Sequence, residues 1–99
     1  MDDNLKENIL KNLIKEYEKT IARIAEKKSL ISIIKITKNS KLQKECKALD
    51  GICHMIDTSL QFGNYRRALR FLTLLKKIER DILTAEKDIQ KNISKYMFS

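Results

Sequence analysis

Two short stretches of this chain read as tight turns: KNSK at 38–41 and FGN at 62–64. Elsewhere the 99 residues contain no proline and a single further glycine, Gly51. A β-fold needs turn residues at frequent intervals, so a chain that can turn so rarely must be built from long helices. Long helices joined by short turns lie against one another as antiparallel neighbours. The expected fold is therefore all-α: one domain over residues 1–99, an antiparallel up-down-up three-helix bundle, with four helices if the first breaks near residue 28. A chain of this length buries about 65% of its unfolded surface, which gives a modest core and no deep enclosed active site.

Apolar spacing supports each run. In residues 3–28, Ile9, Leu10, Leu13, Tyr17, Ile21 and Ile24 share one face. Asn4 and Glu7 have the spacing of a capping box, and Asp2 and Asp3 suit the positive end of the helix dipole. Ser40 with Gln43 repeats that spacing at the start of the second run, whose inner stripe is Leu42, Cys46, Leu49, Cys53, Ile56 and Leu60. Gly51 lies inside this run at some cost in stability. The third run, from about Tyr65 to Tyr96, lines up Ala68, Leu72, Leu75, Ile82, Ile89, Ile93 and Tyr96.

SLISIIKIT, 29–37, is different. On a helical wheel Leu30, Ile31, Ile33, Ile34 and Ile36 point nearly all the way round, and a helix apolar on every side is buried on every side. A small bundle covers one side, so a partner must cover the rest. Leu30, Ile33, Ile34 and Ile36 are accordingly assigned to a partner-binding surface. The rival is a short strand, because β-branched residues dominate, but the chain offers no second strand to pair with it.

The formal net charge of +8, from 21 basic and 13 acidic residues, is unevenly spread. Lysine outnumbers arginine sixteen to five, a ratio that an AT-rich genome produces whatever the function, so distribution says more than the mean. Residues 27–47 carry seven basic groups and one acid, and residues 66–80 carry six and one. Lys35, Lys38, Lys41 and Lys44 in the first cluster, and Arg66, Arg67 and Arg70 in the second, are the candidates for contact with an anion or a nucleic acid. The arginines stand at the start of a helix, where cations oppose the dipole. Either Asp2, Asp3 and Asp57 neutralise them, or an external anion or an acidic partner does.

Catalytic chemistry finds little footing. His54, the sole histidine, lies on the outer flank of its helix with no acid or nucleophile at usable spacing. Cys46 and Cys53 stand seven residues apart, about 10.5 Å along a helix, too far for a mutual disulfide. They read as buried thiols of a reducing, intracellular setting, and with His54 they do not converge on a metal. No cofactor motif and no small-molecule substrate site emerge, so the expectation is that the protein is not an enzyme. MDDNLKENIL does not read as a signal peptide, and no stretch approaches the ~20 apolar residues of a membrane span. Glu79 and Glu86 fall on the inner face of the third run, and an ion pair between Lys28 and Glu86 is within reach. Such a pair aligns the helices or leaves a polar groove for a partner's side chain.

FGNYRRALRFLTLLKKI, 62–78, resembles the start of the second helix in a tetratricopeptide-type or microtubule-interacting-and-trafficking-type hairpin, where a G-x-Y-x-x-A pattern recurs. The preceding helix lacks the matching residues and no period of about 34 residues is present, so the resemblance implies a helical hairpin and no family. Two functions compete. One is a non-catalytic helical interaction module (subunit, adaptor, small chaperone or inhibitor) that binds a protein or a second copy of itself through 30–36. The alternative is a nucleic-acid-binding protein that contacts phosphates through 27–47 and 66–80. A peripheral membrane contact through the lysines and Met97-Phe98 is fainter, so a membrane role is not expected.

Overall fold

The computed structural model describes residues 2–36 and 40–97, with side chains at 4–36 and 40–92. Among the described residues there is no strand, and the helices are α1 (Asp2–Glu26), α2 (Lys28–Lys35), α3 (Ser40–Lys47), α4 (Leu49–Gln61) and α5 (Tyr65–Met97). The described residues are all-helical, and the first run breaks near residue 28, at Lys27, as the four-helix alternative expected; a further bend at Ala48 separates α3 from α4.

Both extra boundaries are bends within a continuing ladder of hydrogen bonds. At Lys27, φ −99° and ψ 18°, the amide donates three residues back to the Ile24 carbonyl at 2.9 Å, and the ladder resumes with Ile31 N–H to Lys27 O at 2.9 Å. At Ala48 the amide is shared between the Lys44 and Glu45 carbonyls, at 3.0 and 3.2 Å, and Ile52 N–H donates to Ala48 O at 2.9 Å. One tightened turn bends a helix without orphaning a backbone group. The expectation of an unbroken second helix from Ser40 to Leu60 is corrected accordingly.

The turn between α4 and α5 is fully determined by its backbone bonds. Gly63 has φ +70°, the left-handed conformation that side chains resist. Asn64 N–H donates to Ser59 O at 2.8 Å and Gly63 N–H to Leu60 O at 3.1 Å, the two bonds of a Schellman motif. Asn64 then caps α5: its Oδ1 accepts the Arg67 amide at 3.2 Å, and its carbonyl accepts the Ala68 amide at 3.1 Å. Three residues thus end one helix, reverse the chain and begin the next.

α5 is the spine. It packs on both α1 and α4, whereas α1 and α4 touch each other little, and α2 packs chiefly on α3. The core contains Leu13 and Tyr17 of α1, Ile31 and Ile34 of α2, Leu42 and Cys46 of α3, Ile52 and Ile56 of α4, and Ala68, Leu72, Leu75, Ile78 and Ile82 of α5. Thr20 and Ser59 are buried as well, and each hydroxyl donates to the carbonyl four residues back, Glu16 O and Met55 O, both at 2.7 Å. Two ion pairs join α1 to α5, Glu16–Lys76 at 3.2 Å and Arg23–Glu79 at 2.7 Å, and a third joins Lys27, at the bend that follows α1, to Glu86 at 2.9 Å. Residue numbers rise together along both helices, so α1 and α5 run in the same direction.

Candidate functional site

The apolar segment divides into two arcs. α3 returns against α2 and closes over the arc that carries Leu30, Ile31 and Ile34. Ile34, assigned from sequence to a contact surface, is therefore a core residue, 2% exposed, and Leu30 is half-buried. Ile33 and Ile36 lie on the opposite arc and remain 50% and 83% exposed. Gln43 of α3 donates its side-chain amide to the Lys35 carbonyl, tying the end of α2 to α3.

Beside the buried arc a groove of about 340 Å³ opens between α1–α2 and α3–α4. Its deepest residues are Ile31, Cys46 and Leu75, all buried. Lys28, Ser32 and Lys35 form one rim and Asp50 stands on the other, with half-buried Leu49 and Cys53 below it. The groove exists because α5 holds α1 and α4 apart. Tyr17 bridges that gap at the level of Cys53, its hydroxyl donating to Cys53 O at 3.2 Å. Burial first, then the neighbouring Cys53 and Asp57, raises the Tyr17 hydroxyl above its ordinary range. Burial also pushes both thiols, Cys46 and Cys53, up. They stay protonated at neutral pH, and a protonated thiol is a poor nucleophile. The sequence offered one sign of this groove: Lys28, Ser32 and Lys35 make a polar row at i, i+4 and i+7 beside the isoleucines.

The basic clusters are both on the surface. Lys35, Lys41 and Lys44 are exposed, and Lys38 lies outside the described residues. Arg66, Arg67 and Arg70 are exposed too, and no ion pair joins them to a carboxylate among the described side chains. The side chains of Asp2 and Asp3, and Phe98, lie outside those described. Arg66 stacks over the Tyr65 ring at 5.9 Å, and Arg67 over Phe71 at 5.8 Å with Nη2 3.8 Å from Met55 Sδ. Since Asn64 already accepts the Arg67 amide, the start of α5 has one donor fewer to offer an anion.

The inner-face acids find partners, though one partner differs from expectation. Glu86 pairs with Lys27 and not with Lys28. Lys27 continues the Thr20–Arg23 face toward α5, and one position further on the helix turns about 100° to put Lys28 on the groove rim. The Glu79 pair raises the Arg23 guanidinium, and the Lys76 hydrogen bond lowers the Glu16 carboxyl.

A second pair of acids has no such support. Glu45 of α3 and Asp81 of α5 face one another, and among the described residues Glu45 Oε2 and Asp81 Oδ2 are buried without a hydrogen-bond partner of good geometry. Lys77 Nζ is 3.9 Å from Asp81, too far for a hydrogen bond. Burial first, then Asp81, raises the Glu45 carboxyl. A raised folded-state pKa favours the fold below the unfolded pKa, and that contribution is lost as pH rises through the folded value. Glu45→Gln is therefore expected to gain a few tenths of a kcal/mol at pH 7, solvent screening keeping it small, and the gain should shrink toward pH 4. Urea unfolding at the two pH values measures it, and a loss of stability at pH 7 would show that the carboxylate has a compensating partner.

Among the described residues no three His, Cys, Asp or Glu side chains gather as a metal-ligand set, and no helix is long and apolar enough to cross a membrane. His54 is exposed. This chain matches no protein-family model, no curated protein and no solved structure.

Proposed function

We propose that this chain is a non-catalytic helical protein–protein interaction module, a subunit, adaptor, small chaperone or inhibitor that works by occupying a surface. The observation that carries this reading is the outer arc of α2, where Ile33 and Ile36 are exposed beside Lys35. Large β-branched side chains left exposed among the described residues favour a contact that removes them from water. We read the architecture behind that surface as three arms, α1–α2, α3–α4 and α5, folded up, down and up. Two free cysteines suit a reducing interior of the cell.

The double substitution Ile33→Asp/Ile36→Asp tests the surface. Both side chains are half or more exposed, so folding stability should move by no more than about 0.5 kcal/mol. Sedimentation at low and high salt, with and without a short DNA duplex, is expected to show a particle above monomer mass that survives high salt and falls to monomer in the double variant. A monomer that shifts only with the duplex would replace this reading with the nucleic-acid alternative through Lys35, Lys41, Lys44, Arg66, Arg67 and Arg70. Neutralising about six phosphates gives a log–log salt slope near −5, whereas an apolar contact is nearly indifferent to salt.

A further inference from the structure

We propose that the groove between α1–α2 and α3–α4 is the seat of an amphipathic helix from a partner protein, one that carries carboxylates two turns apart beside its apolar stripe. This deepens the interaction-module reading, on which it rests, by naming the partner's chemistry. The groove floor is aliphatic, its volume of about 340 Å³ lies in the range of sites that hold a ligand, and it runs along the helices. That is the shape a docking helix fills with side chains at i, i+3 or i+4, and i+7.

Charge selects the occupant. Lys28 and Lys35 are the first and last residues of α2, seven positions apart, so their backbone positions lie about 10.5 Å apart along one rim. Neither they nor Asp50 on the facing rim has an ion-pair partner among the described residues. Two cations at a heptad interval match two carboxylates on one helix face, and Asp50 matches a base on the other flank. A fatty acid offers one carboxylate for two lysines and nothing for Asp50. A phosphate backbone would meet Asp50 and an aliphatic floor. A second copy seated in the groove would bring a chain of net charge +8 against two lysines, a cost that self-association through the apolar Ile33–Ile36 arc on the other side of α2 does not carry. The apolar groove on the other side of α1, lined by Ile9, Leu69 and Leu72, lacks this selectivity because its flanking charges, Glu16 and Lys76, already satisfy each other.

The test titrates the full chain, by fluorescence anisotropy at low salt, with two synthetic amphipathic helices of about eighteen residues. Both carry the same leucine stripe, one flanked by glutamates and the other by lysines. The glutamate peptide should bind at least about tenfold tighter, and Lys28→Glu/Lys35→Glu should reverse the preference. Bound peptide should also slow alkylation of Cys53, which is half-buried in the groove wall. Equal affinity for both peptides, a preference that survives charge reversal, or unchanged Cys53 alkylation would each overturn the proposal. Sodium oleate that binds where neither peptide does would overturn it in favour of a lipid carboxylate. The Ile33→Asp/Ile36→Asp variant leaves the groove residues untouched. A salt-resistant particle that it dissociates, together with a failed peptide test, would sink the groove assignment alone.

Discussion

Leu75→Ala is expected to lower the free energy of unfolding by about 3 kcal/mol, a large share of what a domain of this size possesses. Leu75 is 0% exposed at the point where α5 faces both α1 and α4. Removing it deletes buried methyl and methylene groups and leaves a cavity whose walls belong to three helices. Because those helices are held apart by the same residue, they can collapse only by changing two packings at once. Urea denaturation followed by circular dichroism should show a lower midpoint with an unchanged slope. A loss under about 1 kcal/mol would mean that α1 and α4 close over the gap, in which case the groove above Leu75 should narrow as well.

The second large effect comes from the turn. Gly63→Ala places a side chain on a residue with φ +70°, and the left-handed conformation costs an L-residue about 1–2 kcal/mol. The new Cβ would lie 3.6 Å from Lys6 Nζ, an ordinary contact, so the penalty is conformational and not steric. Reduced freedom of the unfolded chain offsets about 0.4–1 kcal/mol of it. Gly51→Ala is the matched control, since no atom lies within 4 Å of its added Cβ and its backbone φ is not positive. There alanine should gain about 1 kcal/mol through helix propensity. Thermal melts of the two variants should therefore move in opposite directions, each by several degrees. Shifts of the same sign would show that backbone conformation does not decide the outcome at Gly63.

Periodicity carried the sequence a long way. Tyr17, Leu42, Cys46, Ile56, Leu72 and Leu75 all lie in the core where their 3–4 spacing put them. Ile78, 1% exposed, stands at the edge of the α5 stripe, one position from Glu79, and the stripe as read from the sequence leaves it out. The isoleucines of α2 were legible as apolar but not as buried or exposed. A wheel weights every side equally, while the return of α3 decides which arc is enclosed. Lys28 and Lys27 exchanged roles for a similar reason: one residue is 100° of rotation, and the bend falls at that residue. The groove depends on the separation of α1 and α4, and the Glu45–Asp81 juxtaposition on how α3 lies across α5. Both are properties of helix placement, which no local spacing encodes.

The three cross-helix pairs act as a vernier. Along α5 the apolar stripe repeats every seven residues, so its hydrophobic contacts would fit nearly as well if the helix slid along α1 by two turns. The charges would not. Sliding one way keeps a glutamate beside Arg23 but sets Leu83 against Glu16 and Ile93 against Lys27. Sliding the other way gives Lys27 a glutamate but leaves Glu16 facing Leu69 and Arg23 facing Leu72. Each pair, partly open to water, contributes little to stability. Their uneven spacing makes one alignment out of several the only one in which no ion is stranded against oil.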